Sequence, residues 1–167
     1  MALIRLNNQS LTAVTSAGLP TGTVLQVVQT LITTTPSINS TTSTDSALTV
    51  NITPSSTTSK IMVNVNGYYG IHFWHASPYW RLRRDTTVIS SNDSVAFPRV
   101  QYDSTRDANT NCPLVMNILD SPNSTSQITY TVQGATSNAS YPLYLNRRHS
   151  DTNGNSQTSI TVMEIAG

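Results

Sequence analysis

The feature that most limits the fold of this chain is a period of two in its apolar residues, repeated in segment after segment. In ALTVNITP (47–54), Leu48, Val50 and Ile52 alternate with Thr49, Asn51 and Thr53. In KIMVNVNGYY (60–69), Ile61, Val63 and Val65 share one face, as do Ile128, Tyr130 and Val132 in QITYTVQGA (127–135). The segment TSITVMEIAG (158–167) sets Ile160 and Val162 opposite Thr161, Met163 and Ile165. Successive side chains of a strand point to opposite faces, so the pattern buries one face of a sheet and leaves the other outside. No segment carries helical periodicity for more than about two turns.

Four more segments read as strands: GTVLQVVQTLITT (22–34), YWRLRRDTTVIS (79–90, with a turn near Arg84–Thr86), PLVMNILDSP (113–122) and YPLYLNRR (141–148). Ser, Thr, Asn, Gly and Pro fill the intervals, as turns require. The intervals hold no crossover helices, which argues against a parallel sheet. The expected fold is therefore all-β, an antiparallel β-sandwich or jelly roll spanning residues 23–167. Residues 1–22 are polar, end in GLPTG and read as an extended N-terminal arm. TPSINSTTSTDS (35–46) reads as a loop with almost nothing to bury. Arm and loop have too little apolar surface to fold alone, so a neighbouring subunit or larger particle is expected to order them.

Charge narrows the function classes. Charged residues make up 10% of the chain and the formal net charge is +1. There is no basic tract or acidic tail, which speaks against nucleic acid or a membrane surface as partner. No apolar run approaches the length of a membrane-spanning helix, and MALIRLNNQS does not read as a secretory signal. Cys112 is the only cysteine, so no intrachain disulfide is expected. A lone cysteine fits a reducing compartment. No nucleotide-binding, cofactor-binding or hydrolase motif is present, and no cofactor is expected.

The chemically richest window is GYYGIHFWHASPYWRLRRD (67–85), with both tryptophans, two of the three histidines and three arginines. His72 and His75 have H-x-x-H spacing, but zinc needs three or four ligands. His149 is distant in sequence, and residues three apart on an extended chain point to opposite faces. A contact surface is therefore preferred to a metal centre. Residues 70–78 read as a loop between two strands. His72, Phe73, Trp74 and His75, with Tyr141 from a later segment, are expected to meet a partner or a glycan. Tyr141, Tyr144, Arg147 and Arg148 form a second candidate surface in the late loops. Trp80 is assigned to the core. Glu164 lies on the Val162 face of its strand, where a carboxylate wants a partner, and Arg81 or Arg83 is expected to supply a structural ion pair. Glycoside hydrolysis usually needs two carboxyl groups at a fixed separation. Asp103 and Asp107 are the only close pair and read as a solvated loop, so no enzymatic activity is expected.

Four segments together resemble a known group: MALIRLNNQSLTAVTSAGLPTGTVLQVVQT, TPSSTTSKIMVNVNG, LDSPNSTSQITYTVQG and GNSQTSITVMEIAG. They are similar to the small β-rich fibre-like and virion-associated proteins of tailed bacteriophages, marine and cyanobacterial phages in particular. The resemblance implies a homotrimer of jelly-roll-like domains on the virion surface, assembled in the host cytoplasm. It implies attachment to other phage virion proteins through the N-terminal arm, where Leu3, Ile4, Leu6 and Leu11 are the apolar contacts expected. The corresponding role is a fibre- or knob-like appendage touching host cell-surface polysaccharide. Capsid decoration or a head fibre is the alternative, and a glycan-cleaving fibre domain is a third reading.

Overall fold

The computed structural model describes residues 19–72, 75–89, 95–96, 111–152 and 155–167, with the backbone alone at 95–96. The arm residues Leu3, Ile4, Leu6 and Leu11, the loop residues Phe73 and Trp74, and the Asp103/Asp107 pair lie outside this set. Among the described residues the regular structure is all β. The strands are β1 (Val24–Ile32), β2 (Ser37–Ile38), β3 (Thr44–Ile52), β4 (Lys60–Gly70), β5 (Pro78–Arg84), β6 (Thr87–Val88), β7 (Val95–Ala96), β8 (Cys112–Asp120), β9 (Ile128–Thr136), β10 (Leu143–Leu145) and β11 (Thr158–Ile165).

Two antiparallel sheets form. In the first, β1 pairs with β11, β11 with β4, and β4 with β8. Tyr69 near the end of β4 pairs with Cys112 on one side and Leu145 on the other, so β10 continues the line of β11, and β2 pairs with β10. In the second sheet β3, β9 and β5 lie side by side, and β6 and β7 pair with β5. The result is a β-sandwich, and its core follows from the alternation. Ile61, Val63 and Val65 of β4, Ile160 and Val162 of β11 and Leu114 of β8 meet Leu48, Val50, Ile52, Trp80, Leu82, Tyr130 and Val132 of the other sheet in one buried cluster. Each such side chain contributes about 1.5–3 kcal/mol by leaving water. Tyr69 and Trp80 meet edge to face across the core, with centroids 5.6 Å apart.

The segment 35–46 is more tightly held than its composition promises. Ile38 is buried, and β3 begins at Thr44, inside that segment. A Cβ on Gly134 would collide with Ile38 Cδ1 at 2.6 Å and with the Trp80 ring at 2.9 Å. The bare backbone at Gly134 is what lets Ile38 and Trp80 pack there.

The expected ion pair between Glu164 and Arg81 or Arg83 is not formed within the chain. Trp80 and Leu82 point inward, so Arg81 and Arg83 point out from the second sheet, away from the buried face on which Glu164 sits. Arg81 donates to Gln133 at 2.6 Å, and Arg83 pairs with Asp45 at 2.7 Å. Glu164 is fully buried and accepts from Gln26 Nε2 at 2.6 Å and from the Ser55 backbone N–H and hydroxyl at 2.7 Å each. Burial disfavours its anion. The donors Gln26, Ser59 and Ser55 outweigh that effect and hold the carboxyl below the usual Glu range, although the Ser59 hydroxyl makes no bond of regular geometry. The ion pair that does join the two sheets is Arg84 with Asp120. One guanidinium nitrogen lies 2.9 Å from both carboxylate oxygens, and Tyr130 also donates to the carboxylate at 2.7 Å.

Candidate functional site

The chain reverses between β4 and β5 through a turn, not an extended strand. The backbone N–H groups of His75 and Ala76 both donate to the His72 carbonyl, at 3.0 Å each. This turn puts the His72 and His75 rings on the same side, 4.6 Å apart. The segment is tied down at its end by Ser77, whose N–H donates to the Ser137 hydroxyl at 2.8 Å while Ser137 N–H donates back to the Ser77 carbonyl at 2.9 Å. Ser137 opens the β9–β10 loop, so the two loops form one surface.

Tyr141, near the end of that loop, stacks on His75 with centroids 4.4 Å apart and planes 11° from parallel. Its ring also meets His72 edge-on at 5.1 Å. Thr136 fixes the loop by donating to the Tyr141 carbonyl at 3.1 Å. Past β10, residues 146–152 bring in the third histidine. His149 lies 5.3 Å from His72 and 5.7 Å from Tyr144, and the Arg147 guanidinium sits over the Tyr144 ring at 4.1 Å. Arg147 is held from behind by the carbonyls of Arg148 and His149, and Arg148 pairs with Asp151 at 3.0 Å.

Two residues make this third segment rigid. Asn146 is buried with φ of 62°, the left-handed region that Asn tolerates best after Gly. Its amide donates to the carbonyls of Ile32 and Thr34 at 2.8 Å each, and its oxygen accepts from Thr158 at 2.6 Å. Gly70, the last residue of β4, packs so closely that a Cβ there would run into the Arg147 carbonyl.

The sequence-expected contact set is therefore brought together in its described part: His72, His75 and Tyr141 share one cluster. His149 joins them, which sequence distance had argued against, because β10 pairs with the end of β4 and carries the residues after it alongside His72. Tyr144 and Arg147 belong to the same surface. His75 is exposed, while His72, Tyr141, Tyr144, Arg147 and His149 are half-buried, so the rings are positioned by the fold yet reachable from solvent. Among the described residues no group of three or more His, Cys, Asp or Glu side chains is arranged to hold a metal ion. Cys112 lies elsewhere, in the core, where burial pushes its thiol up despite a hydrogen bond with Tyr69. Chemically, the cluster offers flat apolar faces, imidazole and phenol groups that both donate and accept, and a fixed cation beside an aromatic ring.

No protein-family profile matches the sequence, and no curated protein sequence matches it. Among solved structures, the chain is similar to the crystal structure of the infectious bursal disease virus VP2 subviral particle, with a TM-score of 0.38 and 11% identity over 84% of this chain and 38% of that one. The chain thus spans well under half the length of that neighbour.

Proposed function

We propose that this protein is a non-enzymatic structural component of a bacteriophage virion, a homotrimeric fibre- or knob-like appendage that touches host cell-surface glycan through the cluster at the end of the sandwich. The observation that carries the glycan reading is the convergence of His72, His75, Tyr141, Tyr144, Arg147 and His149 from two loops, β10 and the segment after it, anchored by Asn146 and Ser137. A sugar ring presents a C–H face that covers aromatic carbon and a rim of hydroxyls that exchange hydrogen bonds. Rings held in place by a rigid scaffold meet both needs at low entropic cost. The virion reading rests on the four sequence segments that resemble phage fibre-like proteins. A durable β-sandwich suits a particle that must persist outside cells. The reading takes other virion proteins as the arm's partners, the host cytoplasm as the place of assembly and the virion surface as the final location.

The test is binding of purified protein to extracted host surface polysaccharide. Wild-type protein binds, and Tyr141→Ala, which removes the ring stacked on His75, lowers affinity about tenfold, in line with ~1.4 kcal/mol for one lost aromatic contact. Equal binding by the variant removes the cluster from the account. Release of reducing ends by the wild type would move the protein to the glycan-cleaving class. Binding to purified capsids that is lost on deletion of residues 1–22, with no polysaccharide binding, would make it a decoration protein instead.

A further inference from the structure

The outer face of the first sheet is unlike the rest of the surface. The exposed large hydrophobic residues among the described ones are Val24, Val27, Leu31, Tyr68, Val115 and Leu119, and all lie on β1, β4 and β8. Alternation turns five of them outward, and a register shift between Val24 and Gln26 turns out Val24 as well. Register then lines them up across strands. Val27 pairs with Met163, Met163 with Met62, and Met62 with Leu119, giving an apolar row across four strands. The next outward row is Gln29, Thr161, Asn64 and Asn117, and the one after it is Leu31, Ser159, Asn66 and Val115. None of these positions carries a charge. The outer face of the second sheet is opposite in character, dressed by Arg83 with Asp45 and by Arg81 with Gln133.

We propose that this face is the contact surface between copies of the chain, with the row Val27–Met163–Met62–Leu119 at its centre. The proposal rests on the homotrimeric reading above and adds the surface that makes the trimer. Two properties select a second copy as the occupant. The first is charge. The three rows offer no counter-charge to a nucleic acid, an anionic lipid or a charged protein, whereas a second copy brings rows with nothing to repel. Lys60, at the edge beyond the rows and paired with Ile165, is the one cation on the described face. Apolar residues desolvate together, and the amide and hydroxyl row supplies both donors and acceptors to its own kind. The second is area. Four strands about 4.8 Å apart and about eight residues long span on the order of 500 Å² in plan. Side-chain relief raises the accessible area toward the ~800 Å² that each partner gives up in a standard interface. Exposed apolar side chains gathered on one face, rather than scattered singly, mark it as a contact surface.

The experiment is sedimentation equilibrium of the full chain, with circular dichroism to confirm folding. Val27 and Leu119 are 57% and 50% exposed, so lysine at either position is compatible with the folded subunit. Wild-type protein should sediment at three times the 18.1 kDa chain mass. Val27→Lys and Leu119→Lys, separately, should sediment at the single-chain mass with unchanged β signal. Ala47→Lys, at an exposed position of β3, should stay trimeric. A wild-type trimer that both variants preserve overturns this face while leaving the trimer intact. A wild type at single-chain mass throughout overturns the face and the trimer together. A wild type that oligomerises only after residues 1–18 are deleted assigns the face to the chain's own arm and also overturns the proposal.

Discussion

Glu164 shows how one acid is kept on a buried face without a counter-ion. Its two carboxylate oxygens take three hydrogen bonds from Gln26 and Ser55, which replace the water lost on burial. Because these donors favour the anion, the folded pKa lies below the unfolded one, near 4.3. The stability this group contributes is present above the unfolded value and is lost as pH falls through the folded value. Glu164→Gln should cost about 1–3 kcal/mol at pH 7, because an amide turns an N–H group toward donors that need an acceptor. Denaturant midpoints measured from pH 7 to pH 3 should show the wild type losing stability on acidification and the gap to the variant closing. A gap that stays constant with pH would mean the carboxylate charge is not what the pocket holds. The sequence indicated that Glu164 needs a partner, because it shares a face with Val162. It could not indicate which, because Ser55 lies in a turn and Gln26 on a strand paired only through the long-range β1–β11 ladder.

At the scale of elements, β3, β4, β9 and β11 are legible because each has one buried face and one outer face, which writes the alternation directly into the chain. The short strands are not legible in that way. β2 has two residues, and its place depends on Ile38 slotting against Gly134 and Trp80, both far from it in sequence. The loop at 70–78 was legible, but the meeting of the His72 and His75 rings was hidden for a similar reason. An H-x-x-H spacing carries no mark of whether the backbone between is extended or reversed, and the answer sets whether the rings meet. The cross-sheet link is likewise an element-level property. Arg84 and Asp120 stand at the ends of β5 and β8, and only the stacking of the sheets brings them together. Asp120→Asn should cost about 2 kcal/mol, because it leaves a half-buried guanidinium without its counter-charge. At fixed protein concentration the melting temperature should fall by about 5 °C. A shift below about 1 °C would show that the pair is solvated and carries no strain of the sandwich.

At the scale of the molecule, the described chain is a two-sheet body with three unlike surfaces. One sheet face is charge-paired, the other is apolar in rows with a single lysine, Lys60, at its edge, and one end carries the ring cluster. Under the two proposals above, the apolar rows meet sister copies and the ring cluster at the end meets a polyhydroxylated surface. The sequence disclosed the sandwich and the residue types of the ring cluster, because both follow from local pattern. It did not disclose the row on the outer face, since a row exists only once four strands from distant parts of the chain take their register. The account's central claim is that this protein is built into a phage particle and faces outward. Its most direct test is electron microscopy of intact purified particles with a label at Gly167, alongside mass spectrometry of the same particles. The account predicts that the chain is present at a multiple of three copies and that label decorates the particle exterior at a repeated position. Particles that lack the chain, or that carry no external label when the chain is present, would contradict it.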